Sequence, residues 1–182
     1  MRDDNPKLLS PWKEFLAALD AMLSEPLVVH CIGGFVVTVV YGLPRQTGDI
    51  DYYTAIPNSF DIQQVAGPES SLAKKHKISF HRVTVNNMPD DYETRLSEIF
   101  PGRFKSLHLC APDPYDYILS KLERSSTKDR DDADYLFKKE HLDSRRLRER
   151  YEKELRPYLA NEGRHDLTLE LWIEIFDEEL TQ

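Results

Sequence analysis

The span from Ile32 to Tyr53, IGGFVVTVVYGLPRQTGDIDYY, constrains this chain more than any other, because a Gly-Gly pair follows an apolar strand-like run and precedes Asp49-Ile50-Asp51. Without a Cβ, Gly33 and Gly34 can take positive φ and expose backbone N–H groups to an anion, for which phosphate is the natural guest. Asp49 and Asp51 stand two residues apart. On a strand, both carboxylates therefore leave the same face and can share a hard divalent cation. A Gly-Gly pair alone is usually a turn, and an Asp-x-Asp alone is usually a solvated strand end. Their order in one short span, with Arg45 and Thr47 leading into the acidic strand, points to metal-assisted phosphoryl chemistry.

This order, apolar strand, Gly-Gly, apolar element, then Arg-x-Thr-x-Asp-Ile-Asp, resembles the start of the nucleotidyltransferase superfamily with the DNA polymerase β fold. A second stretch, DPYDYILSKLERSSTKDRDDADYL, is similar to a helical pattern of the short bacterial abortive-infection and toxin-type nucleotidyltransferases and their uncharacterised bacterial relatives. Asp116, Lys121, Arg124, Asp129 and Asp132 fall at the matching places, while Lys128 stands where those proteins usually carry arginine. The two stretches span most of residues 27 to 136, and the tail from about 141 adds nothing to the match.

The resemblance implies an α+β fold, a small mixed sheet flanked by helices, with a nucleotidyltransferase-like domain over 1–140 and a helical extension over 141–182 packed on it. It implies transfer of a nucleoside monophosphate from an NTP to an acceptor hydroxyl on a tRNA, a protein or a small molecule, and a toxin role with an antitoxin partner. Asp49 and Asp51 would hold Mg²⁺, as one ion or as two about 3.5–4 Å apart. Gly33 and Gly34 would donate N–H groups to the triphosphate, and Arg45 or Thr47 would contact phosphate or orient Asp49. Lys121 would make a second phosphate contact. On a helix from Pro114 it shares a face with Tyr117 and Arg124, so a base-stacking tyrosine and two cations would line one side of the site. Asp129 and Asp132 would pair with Lys121 or Arg124, or serve as first-turn acids favoured by the helix dipole. One departure concerns a third acid, usual on a neighbouring strand in active members. The candidate strand, ISFHRVTV, has none; Asp90, Asp91 and Glu93 lie just past it, and His81 would act as base where none of these reaches the metal, a role common to histidine. A nucleotide- or partner-binding module without turnover is the alternative.

The length of 182 residues suits one domain with an extension. A net charge of −8 argues against nonspecific nucleic-acid binding as the main task. Local basic character is concentrated between Lys138 and Arg156, and the last twenty residues are acidic; two solvated helix faces account for both. MRDDNPKLLSPW has no apolar core of signal-peptide length, and no apolar run approaches a membrane span, so a cytoplasmic protein is expected. Cys31 and Cys110 read as small buried residues, and the six histidines show no zinc-ligand spacing.

Ser10-Pro11 opens a helix whose apolar face is Phe15, Leu16, Leu19, Met22 and Leu23, ending near Ser24. Leu27–Ile32 follows as a buried strand. Propensity alone makes FVVTVVY the second arm of a β-hairpin, whereas the resemblance makes it a helix; the helix is adopted, because a strand–glycine–helix junction aims free amides at phosphate. Strands are then expected at 49–54, 78–85 and 106–110, short helices between 60 and 75 broken at Gly67-Pro68, and a helix capped by Asp113. Helices continue to the end, with breaks near 125–126, 141–144 and 157–163.

Overall fold

In the computed structural model, which describes residues 8–84 and 87–180, five strands form one mixed sheet: β1 (Leu27–Ile32), β2 (Asp49–Ile56), β3 (Ser79–Arg82), β4 (Ser97–Glu98) and β5 (Leu107–Ala111). Their order is β3-β2-β1-β5-β4. β1 runs antiparallel to β2 and parallel to β5, β3 lies parallel to β2, and β4 closes the far edge antiparallel to β5. The central β1 is apolar apart from His30, as suits a strand covered on both faces; Leu27, Val29, Cys31 and Ile32 are all buried. β3 is shorter than the expected 78–85, and residue 85 of that span lies outside the described residues.

Four helical segments accompany the sheet: α1 (Trp12–Asp20), α2 (Gly33–Phe35), α3 (Ile62–Ala66) and α4 (Ser71–His76). α1 buries Phe15, Leu16 and Leu19, with Phe15 stacked 5.9 Å from Phe80 of β3. It ends sooner than its apolar periodicity suggests, so Met22, expected on the buried face, is 58% exposed. At its last turn the Asp20 carboxylate accepts N–H bonds from Lys105, Ser106 and Leu107 at 3.0, 2.8 and 2.8 Å, fastening the helix to the start of β5. Against a desolvation penalty, those three donors hold the Asp20 carboxyl below its ordinary pKa. α3 and α4 are capped by Asp61 and Ser70, which accept N–H bonds one turn ahead. This sheet and its helices form one compact unit, Met1–Thr84 with Leu96–Ala111.

The second unit, Val85–Arg95 with Pro112–Gln182, is helical. It contains α5 (Pro114–Ser120), α6 (Thr127–Lys139), α7 (Ser144–Arg150) and α8 (Glu162–Leu180), α7 continuing through a π turn at Tyr151–Leu155. Asp113 caps α5 as expected, its Oδ1 accepting from Asp116 N–H at 2.9 Å. Phe137 of α6 stacks on Phe176 of α8 with ring centroids 4.8 Å apart, inside a core that includes Leu136, Leu147 and Trp172. Among these apolar groups Asp116 is fully buried; Arg95 donates to it at 2.8 and 3.1 Å and Arg150 at 2.9 Å. Arg150 also reaches Asp113 at 2.6 Å, and Arg95 reaches Glu154 at 2.7 Å. The basic run between Lys138 and Arg156 is largely taken up inside this unit. Lys138 pairs with Asp134, Arg148 forks onto Glu170, Lys153 pairs with Glu149 and Arg156 forks onto Asp166.

Candidate active site

β1 passes into α2 with no intervening loop. Gly33 has φ +72°, a conformation open to glycine and strained for other residues, and a Cβ there would run into the Asp51 carboxylate. A Cβ on Gly34 would come within 3.1 Å of Arg45 Nη2 and 3.5 Å of Thr47 Oγ1. The two glycines thus let three side chains of the acidic-strand motif close on the backbone at the head of a helix, Asp51 against the first and Arg45 and Thr47 against the second.

The hairpin that β-propensity favours does not form. Phe35, Val36 and Val37 are completely buried, and packing against the sheet outweighs the intrinsic preference of a β-branched run. α2 instead widens into a π turn at Val36–Val40, where Tyr41 N–H donates to Val36 O at 3.3 Å. Thr38 Oγ1 donates to Gly34 O at 2.7 Å, occupying a carbonyl that the regular helical ladder would use.

β2 alternates as the motif requires. Ile50 and Tyr52 are buried while Asp49 and Asp51 leave the other face. Ile32 of β1 lies opposite Asp51, and β3 places Ser79 opposite Asp49 and His81 opposite Asp51. Ser79 Oγ donates to Asp49 Oδ1 at 3.3 Å, His81 Nε2 lies 3.1 Å from the same oxygen, and Ser79 Oγ and His81 Nε2 are 2.9 Å apart. Thr47 Oγ1 accepts from Asp49 N–H at 3.5 Å. The pairing of β1 with β2 shifts register between His30 and Cys31, a bulge just past the carboxylates of the kind that re-aims side chains at sites. Beneath them Cys31 is sealed in, and burial pushes its thiol well up, so it is inert at neutral pH.

Lys121, Arg124 and Asp129 gather in the second unit. α5 stops at Ser120, so Lys121 is its C-cap and Arg124 sits in the following turn; the helical face expected from Tyr117 to Arg124 is not continuous. Tyr117, expected as a stacking platform, is fully buried, with Lys121 Nζ 5.0 Å above its ring. Asp129 caps α6 in a box with Ser126 and also receives Arg124 Nε and Nη2 at 2.7 and 2.6 Å, with Lys121 Nζ at 3.4 Å. Both alternatives for this acid, pairing with the cations and serving the first turn, are realised together. Although burial acts to raise it, the Arg124 fork, Ser126 and the Lys121 charge hold the Asp129 carboxyl well below the usual carboxylate range. Burial draws the Lys121 ammonium below its ordinary pKa, opposed by Asp129 and Asp132. Asp90, a candidate third acid, belongs to the same unit and accepts from Tyr158 OH at 3.1 Å.

A family model described as a nucleotidyltransferase of unknown function (DUF6036) matches residues 10–179. The chain belongs to this nucleotidyltransferase family. No curated protein and no solved structure matches it.

For a nucleotidyltransferase, the donor set at the junction fits Mg²⁺. Mg²⁺ is commonly held by one or two carboxylates, with substrate phosphates and water completing its shell, rather than by an all-protein cage. Among the described residues no group of three or more His, Cys, Asp or Glu is arranged to hold a metal. Asp49, its side chain 59% exposed, and Asp51, pressed on the backbone at Gly33, would supply two hard carboxylate ligands. Ser79 is the residue sequence reasoning passed over. Its signal was present, since Ser79-Phe80-His81 repeats the two-residue spacing of Asp49-Ile50-Asp51 on the strand parallel to it. Among the described residues, no helix is long and apolar enough to cross a membrane.

Proposed function

We propose that this nucleotidyltransferase is Mg²⁺-dependent and moves a nucleoside monophosphate from an NTP to an acceptor hydroxyl. The observation that carries the reading is the convergence of Asp51, Arg45 and Thr47 on the Gly33-Gly34 backbone, with Asp49 two residues from Asp51 on the same strand face. Backbone N–H groups at the helix start and the Arg45 guanidinium bind the triphosphate. Asp49 and Asp51 would hold Mg²⁺, which would offset phosphate charge and lower the pKa of the attacking hydroxyl. Ser79 and His81 fix the rotamer of Asp49 through its Oδ1. The acceptor oxygen attacks the α-phosphorus, the bond to the α–β bridging oxygen breaks, pyrophosphate leaves with that electron pair, and the acceptor's proton passes to solvent. The resemblance gives Lys121 a phosphate contact, with Asp129, itself gripped by Arg124, 3.4 Å from its ammonium; comparing Lys121→Met with Lys121→Arg tests that role.

The acceptor is a tRNA, a protein hydroxyl or a small molecule. The likeness to short toxin-type nucleotidyltransferases favours a macromolecular acceptor, growth arrest on induction and relief by an antitoxin. Labelled NTPs incubated with cell extract should label a macromolecule or release pyrophosphate, and Asp49→Asn with Asp51→Asn should abolish both. Label transfer untouched by that double change sinks the mechanism. Binding is read separately by thermal shift with the four NTPs, with and without Mg²⁺; ligand at about 100 times its Kd stabilises the fold by roughly 2.7 kcal/mol.

One observation favours a second reading, a nucleotide-binding module without turnover. β3 presents Ser79 and His81 on the face beside the carboxylates, where active members of the superfamily usually present an acid. That reading predicts an NTP-dependent thermal shift with no pyrophosphate release.

A further inference from the structure

We infer that the cleft of about 470 Å³ opening beside Arg45 binds a nucleoside, with Trp12 as its stacking platform. The inference rests on the nucleotide-binding reading above. Arg45 and Thr47 belong to both places: they press on Gly34 at the head of the helix and also line the cleft, which therefore begins where the phosphate cradle ends. Its volume is in the roughly 300–1,000 Å³ range of small-ligand sites. Its walls carry the complement of a nucleobase, which has an apolar π face and an edge of donors and acceptors. The indole of Trp12 supplies the face, and the Gln46 amide with the Thr38 and Thr47 hydroxyls supplies polar groups for the edge. Trp12 is half-buried and backed by Phe35, ring centroids 5.1 Å apart, so its plane is braced before a ligand arrives. Tyr117, the aromatic that helical spacing offered for this task, is sealed in the core of the other unit. The nucleoside is that of the NTP itself or the terminal residue of an RNA acceptor.

The chain has two tryptophans, so Trp172→Phe leaves Trp12 as the sole tryptophan, read by exciting indole and not tyrosine. Should that variant fail to fold, the difference between wild type and Trp12→Phe isolates the same signal. The probes are the four NTPs with Mg²⁺, inorganic tripolyphosphate, adenosine and a short single-stranded RNA. A nucleoside-bearing probe should quench Trp12 saturably, tripolyphosphate should bind without quenching, and Trp12→Ala should weaken the quenching probe about tenfold while leaving tripolyphosphate unchanged. Quenching by an NTP assigns the cleft to the substrate base, and quenching by RNA alone assigns it to the acceptor. Equal quenching by tripolyphosphate, or no quenching by any probe, overturns the inference. An NTP thermal shift with a silent Trp12 removes this inference and leaves the nucleotidyltransferase reading in place. Quenching by adenosine or RNA with no Mg²⁺-dependent NTP shift removes that reading and keeps the cleft.

Discussion

Asp49 and Asp116 are both aspartates beside cationic or imidazole partners, yet their surroundings are opposite. The Asp49 side chain is 59% exposed and meets Ser79 and His81 on one oxygen. That of Asp116 is fully buried and receives Arg95 and Arg150 together. The contrast extends to their units. Asp129 is likewise buried and neutralised by Arg124 and Lys121, and Arg148 of α7 is answered by Glu170 of α8. A buried charge must be matched where it stands, because its desolvation cost is several kcal/mol. A carboxylate left at the surface keeps its charge at little cost and can lend it to a ligand. Charge density in this sequence is therefore a poor guide to function, and exposure separates the acids that hold the helices together from those available for chemistry.

The comparison breaks most visibly at Asp116. Replacing it with alanine leaves Arg95 and Arg150 partly uncompensated and should cost about 3–5 kcal/mol in a denaturant titration; a loss under 1 kcal/mol would place Asp116 with the exposed acids. Asp20→Ala removes the acceptor of three backbone N–H groups and should cost about 2–3 kcal/mol, read as a lower urea midpoint at unchanged slope. Gly33→Ala combines positive φ with displacement of Asp51 and should cost about 2 kcal/mol while also weakening NTP binding in the thermal-shift panel. Asp129→Asn sharpens the picture through pH. Its folded pKa is depressed, so its contribution is present in full above the unfolded value near 4 and is lost as pH falls toward the folded one. The variant should be less stable than wild type at pH 7, and the gap should narrow as the pH is lowered below about 4. The smallest effect on stability belongs to Asp49→Asn, within about 0.5 kcal/mol, since exposed ion pairs contribute little; the same change should abolish Mg²⁺-dependent nucleotide binding.

Much of the first unit was legible because its local rules agree with one another. Gly-Gly and the Asp-x-Asp alternation each name a conformation that the fold then uses, as the Asp113 cap does in the second unit. The helix after Gly34 was legible only through resemblance, because Val36 and Val37 favour a strand until the sheet buries them. β4 was invisible: Ser97 and Glu98 carry no strand pattern, and their conformation is imposed by pairing with Ala111 and Cys110. Tyr117 shows a further limit. Spacing places a residue on a helix face without saying whether that face meets ligand or core, and α5 ends before the face reaches Arg124. Trp12 drew no notice beside Phe15 and Leu16, since only the folded cleft distinguishes an aromatic that lines it from one that fills the interior.

The central position of β1 also has a bearing on how the protein is made. Its first neighbour, β2, follows soon after it, but the segment Asp20 grips leaves the ribosome 85–87 residues after Asp20 itself. At roughly 5–20 residues per second, the nascent chain waits on the order of ten seconds with one side of its middle strand uncovered, a ready template for another chain. The sheet is completed only after residues of the second unit have been threaded through between 84 and 96, so translation cannot release one finished unit before beginning the next. Chains halted in that interval are the ones a chaperone must shield, and a stop codon placed there should yield aggregate rather than a half-size soluble fragment.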